Sequence, residues 1–187
     1  MHEEKKKEII GVCLDCFVEK GLTAATTKDL CTAAHLQNGG IYYYFSTKEE
    51  IVLACAEEAI SRIEKGAFDI VLEDISDIKG MINHLGELAD RMSPTMRFLV
   101  SVCVSREYGD KVKPALVRLA ARYPYYTARI ADILGCSTEE VEPFVHLSIL
   151  AINNYMIFAE RALFEPQIKA VSRELLRLAE RKKEGAE

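Results

Sequence analysis

Apolar residues recur at the three- and four-residue spacing of an α-helix along nearly the whole 187-residue chain. Strict alternation of apolar and polar residues, which would indicate β-strands, is absent. Ile9, Cys13, Cys16 and Phe17 form the first such stripe, and Gly21 is placed to end that helix. The spacing therefore predicts an all-α fold of about nine helices.

Capping residues and prolines set the expected helix boundaries. Capping boxes are predicted at Thr26 with Asp29, at Ser46 with Glu49 or Thr47 with Glu50, and at Ser137 with Glu140. A short helix is expected from about Asn38 to Phe45, with Ile41, Tyr44 and Phe45 turned inward. Beyond a break at Gly66 we expect a weak helix near Asp69, a helix from about Asp77 to Met92, and a new helix opened by Ser93 and Pro94. A helix from about Lys111 to Leu134 should be kinked or split by Pro124 and should end at Gly135. The following helix should reach about Leu163, and Pro166 should begin the last helix.

Composition excludes several classes of protein. Apolar residues make up 49% and charged residues 28%, as in a globular chain, and the net charge of −5 argues against broad non-specific binding to nucleic acid. No secretory signal or membrane-spanning stretch is evident, so we expect a cytoplasmic protein without a membrane partner. The six cysteines fit a reducing compartment better than a metal site, and neither a metal nor a cofactor is expected. The sequence also lacks a phosphate loop, an HExxH motif and a Gly-x-Ser-x-Gly motif, so an enzyme is not expected.

The stretch "LQNGGIYYYF" (36–45) has the features of a DNA-recognition segment. Adjacent glycines let the backbone approach the major groove closely, and Gln, Asn and Tyr side chains can donate hydrogen bonds to bases and phosphates. The short helices before it and the turn at residues 35–37 complete a helix-turn-helix pattern. An ordinary amphipathic cover for a small core is the alternative interpretation of Tyr42 and Tyr43.

Residues 9–54 resemble the DNA-binding domain of the tetracycline-repressor (TetR) family of bacterial transcription regulators. The residues that carry the resemblance are Gly21, residues 26–30, Ala33, Ala34, residues 41–45 and residues 48–50. It implies three domains: a DNA-binding domain over 1–48, a connecting helix over 49–65 and a ligand-binding and dimerisation domain over 66–187. It also implies DNA contacts from Thr26, Thr27, Lys28, Gln37, Asn38, Gly39, Tyr42, Tyr43 and Lys48.

The C-terminal part is expected to supply a dimer and an effector site. Ile168, Val171, Leu175 and Leu178 form a helical stripe, and the helix before it is apolar nearly all round, so these helices are predicted to form the dimer interface together with Phe144 and Ile152. Candidate effector contacts, for which plain core packing is the alternative, are Phe98, Val102, Cys103, Tyr125, Tyr126, His146 and Asn153.

The resemblance predicts a ligand-responsive regulator, a repressor, that binds a palindromic double-stranded DNA operator as a homodimer and is released by a small, mostly apolar effector. Residues 1–50 hold six lysines, no arginine and eight acidic residues. That acidity leaves a second hypothesis open, a protein-interaction adaptor of the same fold with weak or no DNA binding.

Overall fold

The computed structural model describes residues 2–72 and 78–184, and the side chains within 2–66 and 84–181. Over those residues the chain forms eight α-helices and one 3₁₀ helix, with no strand, which confirms the all-α class. The helices are α1 (His2–Lys20), α2 (Thr27–Ala33), the 3₁₀ helix (Gly40–Tyr43), α3 (Lys48–Leu72), α4 (Ile78–Cys103), α5 (Gly109–Ala120), α6 (Tyr123–Leu134), α7 (Thr138–Phe158) and α8 (Arg161–Glu184).

The chain divides into two compact units. The first unit contains Met1–Ile63 and Pro94–Arg118, and the second contains Glu64–Ser93 and Leu119–Glu187. Both α3 and α4 therefore contribute residues to each unit. The domain boundaries predicted at residues 48 and 65 separate parts with different expected functions, and they do not describe packed units. They stay a prediction.

The core of the first unit is built on the predicted stripe of α1. Ile9, Cys13 and Phe17 are at most 1% exposed, and the ring of Phe17 stacks on that of Phe98 in α4 with centroids 5.5 Å apart. Ile41 and Phe45, on either side of the outward tyrosines, are also buried. This apolar packing fixes the short segments between α1 and α3, which are too short to be stable helices alone.

The core of the second unit is formed by α6, α7 and α8. Its buried side chains are Ala131, Val141, Val145, Val171, Leu175 and Leu178. Beside it, the hydroxyl of Ser93 donates to the backbone carbonyl of Met156 at 2.7 Å, and the rings of Tyr155 and Phe164 stack at 4.7 Å. These contacts hold α4, α7 and α8 together within the unit.

Several predicted helix boundaries are confirmed. In both capping boxes, Thr26 with Asp29 and Ser137 with Glu140, the hydroxyl accepts from the N3 amide and the carboxylate accepts from the N-cap amide. Gly135 ends α6 in a left-handed conformation, with φ of 65°. Pro124 lies in the first turn of α6, where a missing amide hydrogen costs little, and the predicted 111–134 helix is split just before it.

Other predicted boundaries are wrong. Helix α3 passes through Gly66 to Leu72, so neither a break nor a separate helix occurs there, and α4 passes through Pro94 to Cys103. Ser93 is therefore no N-cap. Helix α7 ends at Phe158, and α8 begins at Arg161, before Pro166. The expected helix start at Asp77 lies outside the described residues.

The helix expected over Asn38–Phe45 is only the four-residue 3₁₀ helix. Gly39 precedes it with φ of 83°, a left-handed conformation that a helix cannot include and that glycine adopts without strain.

The start of α3 combines parts of the two capping boxes that were predicted there as alternatives. The Thr47 hydroxyl accepts from the Glu50 amide at 3.1 Å, while the Glu50 carboxylate accepts from the Ser46 amide at 2.7 Å.

Candidate DNA-binding surface

The start of α2 is fixed by its own side chains. The hydroxyl of Thr26 accepts from the amide of Asp29 and donates to its carboxylate at 2.6 Å. The hydroxyl of Thr27 lies 3.4 Å from that of Tyr42, so α2 and the 3₁₀ helix are joined by a hydrogen bond. Thr26 thus acts first as a helix cap, whereas Thr27 lies at the junction of the two elements.

The 3₁₀ segment presents most of its polar side chains to solvent. Gln37, Asn38 and Gly39 are exposed, and Tyr42 and Tyr43 are 48% and 75% exposed. Exposed tyrosines at this level are unusual for a surface with no partner, and their hydroxyls can reach bases or phosphates. The buried residues on either side, Ile41 and Phe45, hold the segment to the core.

The turn between α2 and the 3₁₀ helix has a left-handed residue, His35, with φ of 53°. The amide of His35 donates to the Thr32 carbonyl, and the amide of Leu36 donates to the Cys31 carbonyl at 2.8 Å. These two bonds satisfy the carbonyls at the end of α2. Histidine accepts the left-handed region less readily than glycine, so the turn is held by its hydrogen bonds and by the burial of Cys31.

The lysines of this region differ in how free their charges are. Lys48 is half-buried, and its ammonium donates to the carbonyl of Ala25 at 2.8 Å. Lys20 is paired with Asp29 at 2.5 Å, and this pairing, together with the Thr26 hydroxyl, holds the pKa of the Asp29 carboxyl well below its usual range. By contrast, Lys28 is exposed, and among the described residues its ammonium has no hydrogen-bond or salt-bridge partner.

Comparison with known proteins bears directly on this surface. The model of the family "Bacterial regulatory proteins, tetR family" matches residues 9–55, which include every residue of α2, the 3₁₀ helix and the start of α3. YfiR of Bacillus subtilis (strain 168), an uncharacterised HTH-type transcriptional regulator, is 26% identical over 160 residues, which are 80% of this chain and 75% of YfiR.

Solved structures share the fold over nearly the full length. A chain from Rhodococcus sp. RHA1, described as a transcriptional regulator, has a TM-score of 0.67 at 18% identity and covers 92% of this chain and 95% of its own. The multidrug binding protein EbrR, solved with imidazole, has a TM-score of 0.63 at 15% identity, and the match covers 91% of this chain and 94% of the EbrR chain. Residues 9–55 thus match the TetR family model, and the rest of the chain shares the fold of these solved structures.

The matched segment contains α2, the 3₁₀ helix and the turn between them at residues 34–39, an arrangement that corresponds to a helix-turn-helix. Of the nine residues predicted to contact DNA, Thr26 caps α2, seven lie in α2, the turn or the 3₁₀ helix, and Lys48 begins α3. Eight of them are on or next to α2 and the 3₁₀ helix, while Lys48 is bonded to the backbone. Their roles on DNA stay predictions.

The residues predicted for an effector site are divided between the units. Phe98 and Val102 are buried and Cys103 is half-buried in the first unit. Burial raises the pKa of the Cys103 thiol. The other four residues belong to the second unit, where Tyr126 is buried, Asn153 is half-buried, and Tyr125 and His146 are exposed.

The sequence did not predict one polar cluster of the second unit, which is formed by Glu64, Arg122 and Tyr126. The hydroxyl of Tyr126 donates to the Glu64 carboxylate at 2.9 Å, and Arg122 lies 2.8 Å from the same carboxylate. Burial, followed by the hydrogen bond to Glu64, raises the pKa of Tyr126 to about 12. Glu64 and Arg122 are 58 residues apart, and no sequence spacing links them.

The residues named for the dimer interface largely pack within one chain. Ile168, Val171, Leu175 and Leu178 are buried, and Phe144 and Ile152 are half-buried. A different set of apolar side chains is exposed on the same two helices: Leu147, Leu150, Phe158 and Leu163 are each more than 50% exposed. Since α7 is apolar on most sides, one side can pack within the chain while the other faces solvent.

An open groove with a volume of about 570 Å³ runs along the outside of α8. The small side chains of Ala162, Pro166 and Ala170 leave room there, between the longer ones of Glu165 and Lys169. The groove lies on the exposed side of α8, because Val171 and Leu175 face the core.

The described residues show neither a membrane-spanning helix nor a cluster of three metal-binding side chains. Cys13, Cys16, Cys31 and Cys55 are free thiols buried in the first unit. Burial, then the neighbouring Cys16 and Cys31, raises the pKa of Cys13 to about 12. A thiol of that pKa is a packing group with little thiolate character.

Proposed function

We propose that this chain is a TetR-family regulator that binds a palindromic operator as a homodimer and represses transcription until a small, mostly apolar effector releases it. The observation that carries the proposal is the surface formed by Lys28, Gln37, Asn38, Tyr42 and Tyr43. Their side chains are exposed and lie on segments held in place by a buried core. Such a surface combines one free cation with hydrogen-bonding groups that can reach base edges.

Each side chain of this surface has a proposed role. Gln37 reads a base edge, because an amide can pair bidentately with adenine, and Asn38 offers the same chemistry. Tyr43, the most exposed, reads a second base. Tyr42, tied to Thr27 by their hydroxyls, contacts a phosphate, as does the free ammonium of Lys28.

Lys48 was also named as a phosphate ligand, and its bond to the Ala25 carbonyl supports a different role. Binding a phosphate would require the ammonium to leave that half-buried carbonyl. We infer that Lys48 mainly joins the start of α3 to the loop before α2, and so fixes the position of the DNA-facing residues.

The homodimer is proposed to form through the exposed sides of α7 and α8. Leu147, Leu150, Phe158 and Leu163 are large apolar residues with more than half of their surface in solvent. An exposed apolar set of this kind marks a protein interface, and a two-fold axis lets each copy cover the same patch on the other. The dimer then places two DNA-binding regions on half-sites about 34–36 Å apart.

The effector is proposed to bind beyond residue 66, as the functional division into 1–48, 49–65 and 66–187 implies. EbrR, which has this fold, is named as a multidrug binding protein. In the second unit, Tyr125 and Tyr126 are in edge-to-face contact at 5.8 Å beside the Glu64 carboxylate, which suits an aromatic or amphipathic molecule. The effector releases DNA only if it binds the DNA-free form more tightly, and operator DNA must then weaken effector binding by the same factor.

A compound screen by thermal shift, followed by titration with and without operator, tests the effector part of the proposal. An effector whose affinity is the same in both titrations would refute it.

Selection from a random duplex library tests the DNA-binding part. Enrichment of a palindrome that is retained at moderate salt supports the regulator. No enrichment, with specific capture of a protein partner by the same surface, would support the adaptor, for which the acidic N-terminal region is the supporting observation.

A further inference from the structure

The first turn of α1 lies against the 3₁₀ segment. The imidazole of His2 stacks on the ring of Tyr44, with centroids 5.3 Å apart and an interplanar angle of 29°. It also meets the ring of Tyr43 edge-on, with centroids 5.6 Å apart and an angle of 66°. The two tyrosine rings are in edge contact with each other at 5.0 Å. Each ring of this aromatic cluster (His2, Tyr43 and Tyr44) therefore touches the other two.

The next turn of α1 continues the same contact. Lys6, four residues after His2 and on the same face of the helix, places its ammonium 4.9 Å from the centre of the Phe45 ring and 3.4 Å from the Glu50 carboxylate. One face of α1 thus covers three successive aromatic residues, Tyr43 to Phe45. The contact with His2 is part of a continuous packing of α1 on the segment.

Tyr43 depends on these ring contacts for its orientation. It is 75% exposed, and among the described residues its hydroxyl has no hydrogen-bond or ion-pair partner. Tyr42, by contrast, is tied to Thr27 through its hydroxyl. An exposed side chain that is free to rotate must be ordered when DNA binds, and that ordering lowers affinity. A side chain already restrained by two neighbouring rings loses less freedom.

We propose that His2 is a positioning residue for DNA recognition, whose ring holds Tyr43 in the orientation in which it meets the DNA. The proposal rests on the proposed DNA-binding function. His2 acts through Tyr43 and contributes its ring; its nitrogens are not required. Loss of one aromatic contact corresponds to about a two- to tenfold change in an equilibrium constant, and operator affinity should fall by that factor.

Two substitutions separate the ring from the polar nitrogens. His2→Gln removes the ring but keeps a hydrogen-bonding end, whereas His2→Phe keeps a ring and removes the nitrogens. We expect about two- to tenfold weaker operator binding for His2→Gln and near wild-type binding for His2→Phe. The reverse order, with glutamine tolerated and phenylalanine not, would show a direct polar contact with DNA and overturn the proposal.

A double-mutant cycle with Tyr43→Ala supplies the control. In the Tyr43→Ala background, His2→Gln should cause no further loss of affinity, because the side chain that it positions is gone. The slope of log K against log salt should be the same for His2→Gln as for the wild type, since no phosphate contact is removed. An equal loss in both backgrounds would refute the positioning role.

The ring resonances of Tyr43, followed by NMR with labelled tyrosine in the DNA-free protein, give a readout that needs no operator. They should shift in His2→Gln and stay near the wild-type positions in His2→Phe. Unchanged resonances in His2→Gln would overturn the proposal. If the wild type selects no DNA at all, the regulator proposal fails, while the resonances still decide whether the ring of His2 packs against Tyr43.

Discussion

Alanine at Lys28 and alanine at Lys48 should weaken operator binding in two different ways. The ammonium of Lys28 is free in the structure, so Lys28→Ala removes one phosphate contact per chain and two per dimer. At about 0.9 per phosphate, the slope of log K against log salt should become shallower by about 1.8. The stability of the free protein should be nearly unchanged, because an exposed side chain with no partner is lost.

Lys48→Ala should act mainly on the folded protein. Its ammonium donates to the Ala25 carbonyl at 2.8 Å, and the side chain is half-buried. Loss of that bond should lower the free energy of unfolding by about 1–2 kcal/mol, in the range for hydrogen bonds to charged groups after allowing for partial exposure. Operator binding should weaken through the misplaced loop before α2, with a change in salt slope well below about 1.8.

The assay pairs fluorescence anisotropy on a labelled operator at several salt concentrations with urea unfolding of each variant. Lys113→Ala is the matched control, since Lys113 is an exposed lysine of the first unit whose partner is Asp110 on its own helix. It should change neither quantity. If Lys48→Ala changed the salt slope as much as Lys28→Ala and left the unfolding free energy intact, Lys48 would be a phosphate ligand and the structural role would be refuted.

Three further results are expected. Gln37→Ala should reduce, by about 1–3 kcal/mol, the difference in binding free energy between operators that differ at one base pair. An equal loss of affinity for all operator variants would count against a contact between Gln37 and a base. Phe98→Ala should lower the free energy of unfolding by about 3–5 kcal/mol, because it removes the buried ring stacked on Phe17, and a loss below about 1 kcal/mol in urea unfolding would contradict that packing. The pKa of Asp29 is depressed in the folded state, chiefly by Lys20, so the carboxylate stabilises the fold above its unfolded pKa of about 4 and loses that contribution as the pH falls further. In urea unfolding, the loss of stability below pH about 4 should be larger in the wild type than in Asp29→Asn, and an equal loss in both would contradict this role.

Local chemistry explains which helix ends could be predicted from the sequence. A capping box needs only two side chains three residues apart, and both Thr26 with Asp29 and Ser137 with Glu140 form as expected. The split near Pro124 follows from proline chemistry in the same local way. These features are set by residues that are neighbours in the chain.

Tertiary packing decided the boundaries that could not be predicted. Pro94 was expected to open a helix, but α4 continues through it, and the neighbouring Ser93 hydroxyl is bonded to the carbonyl of Met156, 63 residues away. Packing on both sides of a proline can keep a helix continuous despite the lost backbone bond. No local sequence pattern predicts a contact between residues so far apart in the chain.

For the proposed site, the sequence indicated which residues lie in the segment that matches the family model, but not which charges are free. Lys28 and Lys48 are both lysines of the matched segment, and only the structure shows that Lys48 is bonded to the backbone of Ala25. In the same way, the stripe of Ile168 and Leu175 indicated an apolar face of α8 without showing that this face is covered by the chain's own core. Helical periodicity identifies the apolar face of a helix, but only the tertiary structure shows which residues pack against that face.

Selection of duplexes from a random library, followed by measurement of the number of chains bound per selected site, tests the proposed DNA-binding dimer most directly. We expect a palindrome whose half-sites are centred about 10–10.5 base pairs, or a multiple of that, apart, with two chains on each site. Substitution of the exposed Leu150 by Glu should abolish the dimer and with it the operator binding, while leaving the folded chain intact. No enriched sequence, or full operator affinity from a monomeric Leu150→Glu chain, would contradict it.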